Sequence, residues 1–563
     1  MKFKKLIAVF LAAAMVCGTC ACGSSVEGTE KDVDAAASES TDTGSSAVAG
    51  ESEGFPLAEP VTISVFAIQL SSVVDLEQNT VFQELEEYTN VNLDLTLVPY
   101  DGASEKLNLM LASGEYPDII MGCYLLSSQD LEKYGTEEQI LIPLNDLIEE
   151  YGIHIKERWA EHPNWKDEMT SSDGSIYGIP TADSGGEGHS DCSYKMWINT
   201  EWLDAVGMDM PQTTDEFRDV LMAFKNDDPN DNGIMDEIPL TGATNTWSAD
   251  PYLFLLNAFG YFDTNYYYLK DGVVNSILDK DYVKEGLKYV HDLYENGLID
   301  PAAFTQDESQ MSAVGNNADT IIAGAATCGH VGMFLDINNS ERYNQYEIMM
   351  PLEGTDGYIG IPYRKSATVN GASFVITDKC QNPEIAIQIA DLFCDEEWSV
   401  RALVGKQSDS WDLADEGTYG MDGVTPAKYK YLLFNTMVDA NQSVDKWDNT
   451  LRLLEPNWKN LFAVEGDIMD ATNYEARLYA DTVKLKAYAA DADTIPPLTY
   501  AGDDSTTFSQ LSTAIKDYAS NAIVEFITGT RDIDNGWDSY LADLNRLGYQ
   551  DMIELVQKTY DAR

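Results

Sequence analysis

Between residues 61 and 121 the spacing of apolar positions alternates between two periods. Val61-Thr-Ile-Ser-Val-Phe66 and Val91 to Val98 alternate apolar with polar residues, and Asp118-Ile-Ile-Met121 is a short apolar run after Gly114 and Pro117. A period of two puts one face of a segment in a core, so these stretches predict strands. Between them, Val81, Leu85 and Tyr88, and then Leu107, Met110 and Leu111, recur at steps of three and four, which predicts helices over 80–88 and 103–112. Strand, helix, strand, helix, strand is the order of an open, mainly parallel sheet, and such sheets bind ligands beyond the carboxyl ends of their strands. Thr213-x-x-Glu216 reads as a capping box, followed by Phe217, Val220, Leu221 and Phe224 on one helical face. Asp281 to Asn296 predicts a second amphipathic helix, stopped by Gly297, and Gly371 to Ile376 a later strand.

The capped helix runs into Asp227 to Pro239, DDPNDNGIMDEIP. From Asp228, oxygen-bearing side chains stand at alternating positions: Asp228, Asn230 and Asn232. Gly233 allows a sharp turn, Ile234 can offer its backbone carbonyl, and Asp236 and Glu237 add carboxylates. Hard oxygen ligands at this spacing suit Ca²⁺. The twelfth position is Pro239, so the acids at the ninth and tenth would supply the bidentate contact. Carboxylates this close repel one another without a cation among them. Ion binding at the end of a docked helix predicts a structural role for calcium in one lobe. The plain alternative is a polar surface loop.

The ends of the chain change the picture of where it works. Lys2, Lys4 and Lys5 precede an apolar run, Leu6 to Val16, too short to span a bilayer. Thr19-Cys20-Ala21-Cys22-Gly23 then resembles a bacterial lipoprotein signal, which implies cleavage before Cys22 and lipidation of its thiol. Cys20 is the alternative modified residue, and an unlipidated signal peptide the plain alternative. Residues 22–56 carry almost no large apolar side chains and predict a flexible tether. Asp and Glu total 95 against 35 Lys and Arg, a formal charge of −60, which makes nucleic acid and anionic lipid poor partners. Outside the leader, Cys123, Cys192, Cys328, Cys380 and Cys394 are odd in number and widely spaced, so buried free thiols are expected rather than a disulfide framework or a zinc knuckle.

Several longer stretches carry a family resemblance. ASGEYPDIIMG (112–122), ILIPLNDLIEEYG (140–152), GSIYGIP (174–180) and MWINTEWLDAVGMDMPQTTDEF (196–217) resemble extracellular solute-binding proteins of sugar-type ABC importers. The ion loop stands where a longer subgroup, related to alginate- and oligosaccharide-binding lipoproteins, carries one. AIQIADLFCDEEW (386–398) and the C-terminal WDSYLADLNRLGYQDMIELVQKTYDAR are similar too. The resemblance implies an α/β fold of the two-lobed, periplasmic-binding-protein-like kind (type II), with the ligand cleft between lobes. Its implied organisation is a signal peptide over 1–21, the tether over 22–56, and a first lobe over 57–182. A second lobe follows over 183–365, holding the calcium loop 228–237. The chain returns to the first lobe over 366–425, and the second lobe and C-terminal helices take 426–563. It implies a monomeric receptor, lipid-anchored on the outer face of a bacterial, Gram-positive cell membrane, that hands a solute to the transmembrane subunits of an ABC permease.

Sugars present flat C–H faces rimmed by hydroxyls, so a sugar site calls for aromatic platforms with neutral amides and carboxylates. The candidates are Trp247, Trp411, Glu187, Tyr252, Trp159 and Asp409, with Trp165, His189 and Asp191 nearby in sequence. Trp247 stands out because TGATNTWSADP has no helical or strand period that would bury it. Glu187 follows Gly185-Gly186, a backbone free enough to present it. Trp411 lies where the family has a turn at the cleft, in a degraded form of that motif. Trp202 and Trp398 sit on amphipathic helices and read as core. No G-x-S-x-G, HExxH, phosphate-binding loop or dinucleotide fingerprint is present, and the five histidines show no ligand spacing. The reading is a non-enzymatic receptor for an oligosaccharide; a secreted carbohydrate-active enzyme and a calcium-dependent surface adhesin are the alternatives.

Overall fold

The computed structural model describes residues 54–69, 79–99, 102–182, 191–244, 246–363, 369–433, 446–447, 450–493 and 503–562, with Ile495, Leu498 and Tyr500. The signal peptide, most of the tether, and Cys22 lie outside these residues.

The alternating stretches form strands as their pattern predicts. β1 (Val61–Gln69) pairs in parallel with β2 (Val91–Pro99) and β3 (Ile119–Leu126). After β4 (Gly178–Thr181) the chain leaves this sheet and builds another from β5 (Met196–Asn199), β6 (Ile238–Thr241), β9 (Ala323–Thr327) and β10 (Tyr346–Ile348). A hairpin of β7 (Tyr267–Lys270) and β8 (Val273–Ser276) stands apart from both. β11 (Asn370–Ile376) returns to the first sheet and inserts antiparallel between β3 and β4, giving the order β2-β1-β3-β11-β4. The second sheet runs β10-β5-β9-β6, with β6 and β9 parallel. β12 (Trp411–Leu413) and β13 (Tyr429–Tyr431) form a small hairpin.

Each sheet has its own core. In β1, Ile63, Val65 and Ala67 face one apolar cluster, and Phe66 and Ile68 face another on the opposite side. A sheet buried on both faces is what crossover helices produce. The second sheet packs Met196, Trp197, Leu240 and Ala325 with helix Thr214–Asn226, helix Asp281–Glu295 and the C-terminal helices. The expected capping box is present at Thr213 and Glu216. Trp202 and Trp398 are core residues of the two lobes, as their helical faces imply. Cys192, Cys328 and Cys394 are buried free thiols.

Core membership changes three times along the chain: between Ala182 and Cys192, between Ile361 and Val369, and between Phe462 and Tyr474. The third change falls later than the expected limit at 425. Trp447, Leu451 and Leu453 pack into the first core, and Tyr429, Trp458 and Phe462 into a satellite of it with Val400 and Trp411. The reason is strand-like pairing: Ala182 N donates to the Arg452 carbonyl at 2.9 Å, and Leu454 N to the Ala182 carbonyl at 2.6 Å. No helix among the described residues is long and apolar enough to cross a membrane.

Candidate functional site

The parallel pair β6 and β9 ends at one edge of the second sheet, and its loops continue there as residues 242–250 and 328–330. β5 runs antiparallel to β9, so Lys195, just before it, lies at the same edge. In the first sheet the corresponding edge is formed by the carboxyl ends of β1, β2, β3 and β4 and by Asn370 at the start of β11. The first crossing leaves from that edge and the second returns to it. Two such edges joined by crossings are where an open α/β fold places a ligand.

Trp247 occupies the second edge and is 40% exposed, unusually high for an indole. Its ring lies on Gly329: a Cβ there would come within 2.2 Å of the indole Cε3, so only glycine lets the platform settle. The His330 ring stands 5.8 Å away at 52°. His330 Nδ1 is 2.8 Å from the Tyr474 hydroxyl, which accepts a hydrogen bond from Gly332 N at 2.8 Å. Tyr474 donating to Nδ1 places the proton of a neutral His330 on Nε2. Beneath, the buried Lys195 ammonium donates to the Gly329 carbonyl at 3.1 Å, and burial pulls its pKa down to about 8. The back of the indole is therefore supported by a tied backbone while part of the ring faces solvent. Nearby, Glu308 accepts from the Thr246 hydroxyl at 2.7 Å, and burial raises its pKa. Burial also pushes the Asp250 carboxyl up to about 6.

The other sequence candidates separate into three groups. Trp411, Tyr252 and Trp159 are not platforms; they are core residues at 1%, 5% and 6% exposure. The Trp411 indole donates to the Gly405 carbonyl at 2.7 Å and meets Tyr429 edge-on at 5.2 Å. Tyr252 packs edge-on against Phe262, and Trp159 belongs to the first-lobe core, as Trp165 does. Asp191 is buried close to Lys195 and Tyr363, and Asp409 is exposed on the turn before β12. Glu187 and His189 lie outside the described residues. Trp411→Ala is therefore expected to cost about 3–5 kcal/mol of stability, as for other buried aromatics. Urea unfolding checks this; a variant as stable as the wild type would return Trp411 to the list of ligand contacts.

His330, Tyr474 and Lys195 were not singled out by sequence. A histidine after the small-residue strand AGAAT and a glycine, at the carboxyl edge of a parallel pair, was the available signal.

The ion loop sits at the opposite, amino-terminal end of β6. Asp228, Asp231 and Gly233 have positive φ, so the chain wraps inward. Asp228 Oδ1 and Oδ2 accept from Asn232 N (3.2 Å) and Gly233 N (3.0 Å), and Asn232 Oδ1 from Ile234 N (2.6 Å). Asn230 donates to the Ile321 carbonyl at 3.1 Å, tying the loop to the approach to β9. Both Glu237 oxygens are shielded from solvent and, apart from the residue's own backbone N–H, meet no hydrogen-bond donor among the described residues. Burial raises the Glu237 pKa, and the Asp228 and Asp236 carboxylates raise it further. An orphaned, sheltered carboxylate beside two others fits a hard divalent cation, which supplies the charge the donors lack. The Ile234 side chain is 60% exposed, so only its backbone carbonyl suits a ligand role. Elsewhere, Glu161, His162 and Glu455 gather within 4.8 Å, but Arg158, 3.1–3.2 Å from both acids, already balances them.

The profile of bacterial extracellular solute-binding proteins matches residues 75–398. The fructooligosaccharide ABC transporter substrate-binding protein FusA of Streptococcus pneumoniae is 30% identical over 90% of this chain and 91% of its own. An EF-hand mutant of FusA, solved with fructo-nystose, superposes with a TM-score of 0.77 at 26% identity, over 89% of this chain and 99% of that one. The alginate-binding protein AlgQ2, solved without calcium ion, shares the fold at a TM-score of 0.66 and 22% identity, over 91% of this chain and 100% of that one. The two-lobed scaffold agrees with these likenesses, and the chain belongs to the bacterial extracellular solute-binding protein family.

Proposed function

We propose that this protein captures a neutral oligosaccharide between its lobes and delivers it to the transmembrane subunits of an ABC permease. The observation that carries the reading is Trp247: a part-exposed indole, fixed from behind, at the sheet edge where a ligand is expected. The acids on the neighbouring segments, Asp250 and Glu308, disfavour an anionic sugar, and Lys195 beneath the indole is buried and donates to the Gly329 carbonyl. Likeness to FusA makes fructo-oligosaccharides the first ligands to test. Asp409 remains a proposed contact, and so does Glu187. The first lobe takes 57–182 and 366–462 and the second 191–361 and 474–563, a division that follows the cores. Closure follows from contacts the ligand makes with both walls only when they meet.

The working form is a monomer, held outside the cell by a lipid on Cys22, with residues 22–56 as its tether. Ca²⁺ bound by Asp228, Asn230, Asn232, the Ile234 carbonyl, Asp236 and Glu237 stabilises the second lobe and takes no part in capture. β6 separates this loop from Trp247 by four residues, about 13 Å of strand.

The test is a thermal-shift series with fructo-oligosaccharides of two to six units, and an acidic alginate oligosaccharide as comparator. Binding to the native state alone adds about 2.7 kcal/mol at roughly 100 times Kd. A stabilised neutral series with an inert alginate comparator is the expected result. Release of reducing ends, with no shift from any sugar, would establish the enzyme reading instead.

A further inference from the structure

Three side chains hold the backbone on which the Trp247 ring rests. The Trp197 indole donates to the Cys328 carbonyl at 3.3 Å, the Lys195 ammonium to the Gly329 carbonyl at 3.1 Å, and the Tyr474 hydroxyl meets His330 Nδ1 at 2.8 Å. The benzene half of the Trp247 indole lies directly on Gly329: a Cβ there would come within 2.2 Å of Cε3 and 2.3 Å of Cζ3. A displacement of the Gly329 peptide therefore displaces the ring. The base of the loop that carries Trp247 is closed separately. Ala243 N donates to the Ala249 carbonyl at 3.0 Å and the Thr327 hydroxyl to the same carbonyl at 2.7 Å, while Ser248 takes a left-handed φ of 56°. With the base fixed, residue 329 sets the tilt of the ring.

Of these three anchors, Lys195 is the one that carries a charge. Trp197 does not titrate, and burial pushes the Tyr474 phenol up, so it keeps its proton. The Lys195 side chain is wholly buried, and its ammonium has given up its hydration. Burial pulls its pKa down to about 8, opposed by Cys192, Asp481, Cys328 and Asp191. Asp481, on helix Tyr474–Lys486, also faces Lys484 at 2.8 Å and Arg477 at 4.0 Å on its own helix. Asp191 is buried at the exit from the first crossing. An apolar side chain of similar length would fill this space without the desolvation cost, so a charge kept here points to one arrangement being held. An ammonium donates a hydrogen bond roughly twice as strong as a neutral amine does, and its hold on the Gly329 carbonyl weakens when the proton leaves.

We propose that Lys195 is a positioning residue for capture: its protonated side chain fixes the Gly329 peptide and, through it, the plane of the Trp247 indole. Lys195 itself, being buried, does not touch the sugar. This role rests on the oligosaccharide reading and adds to it a residue that acts through Trp247. Affinity is full while Lys195 is protonated and is lost as the pH rises through about 8. The groups that face it do not produce this change. Burial pushes the Cys192 thiol up to about 11 and the Cys328 thiol higher still, so both keep their protons, and the Asp250 carboxyl titrates lower, at about 6. The sign for stability is the reverse. Lys195 loses its proton more readily in the folded chain than at the ordinary lysine value of 10.5, so release of that proton favours the fold.

Titration calorimetry of fructo-oligosaccharides of two to six units, from neutral pH to about 9.5, tests it on the full chain, on Lys195→Met, on Trp247→Ala and on the double variant. Wild-type affinity falls about tenfold over this range with a midpoint near the Lys195 value, the effect of one large side chain left to be ordered on binding. Lys195→Met binds about tenfold more weakly at neutral pH, shows no pH dependence, and unfolds in urea at the wild-type midpoint or above it. In the Trp247→Ala background the same substitution costs nothing further, because Lys195 acts only through the indole. A flat wild-type profile overturns the role of Lys195 whether or not Lys195→Met folds. An equal loss in both backgrounds overturns it too, and makes Lys195 a core residue; Trp247-dependent capture survives either result. Absence of binding by every sugar at every pH removes the oligosaccharide reading and this role with it.

Discussion

Trp247→Ala is expected to weaken oligosaccharide binding by about a hundredfold, roughly the 2–3 kcal/mol of an aromatic hot spot. The indole is a broad apolar surface that is both part-exposed and held in place. Gly329 admits it, Lys195 holds the Gly329 carbonyl, and the Tyr474–His330 pair closes its flank. A platform fixed before binding loses little entropy when the sugar arrives, so most of its contact energy reaches affinity. The same exposure predicts a small stability change, within about 1 kcal/mol, since removing a part-exposed ring leaves no closed cavity. Calorimetry paired with urea unfolding separates the two quantities. Trp411→Ala should give the reverse pattern, a large loss of stability with affinity retained in the folded fraction. Wild-type affinity in Trp247→Ala would place the sugar elsewhere on the cleft edge.

The contrast between these two tryptophans shows what local sequence can and cannot reveal. Trp247 was legible because nothing periodic surrounds it; a polar loop had no second apolar face to bury the ring. Trp411 has equally polar neighbours, SDSWDL, yet is sealed by Tyr429, Trp458 and Phe462, from 18 to 51 residues downstream. Trp159 and Tyr252 are buried too, for burial depends on what packs over a residue and not only on its immediate neighbours. Conversely, β1, β2, β3 and β11 of the first sheet and the capped helix follow from periods and caps within a dozen residues, and these were readable. The support behind Trp247 was not. His330 meets Tyr474 across 144 positions, through a helix entered only after the third crossing. The late crossing was hidden likewise, because it depends on Arg452 and Leu454 pairing with Ala182.

Removing calcium should lower the melting temperature by about 5–10 °C, the shift expected when an ion at roughly 100 times its Kd no longer contributes about 2.7 kcal/mol. The loop gives a more specific signature than that shift alone. Without a cation, Glu237 is a sheltered carboxylate that meets no donor from another residue among those described, next to Asp228 and Asp236. Such a group costs stability, and neutralising it relieves both desolvation and repulsion. With the cation, the same carboxylate supplies the contact that Pro239, at the twelfth position, cannot. Glu237→Gln should therefore raise the melting temperature relative to wild type in chelator and lower it in millimolar Ca²⁺. Asp228→Asn should blunt the calcium response; some of its loop-closing bonds, to Asn232 N and Gly233 N, can pass to the amide oxygen. Oligosaccharide affinity should change by less than about threefold throughout, because the loop and Trp247 occupy opposite ends of β6, about 13 Å apart. A Glu237→Gln effect of the same sign in both buffers would mean that the ion is held without this carboxylate. A chelator shift undiminished in a Glu237→Gln, Asp228→Asn double variant would move the ion out of the loop altogether.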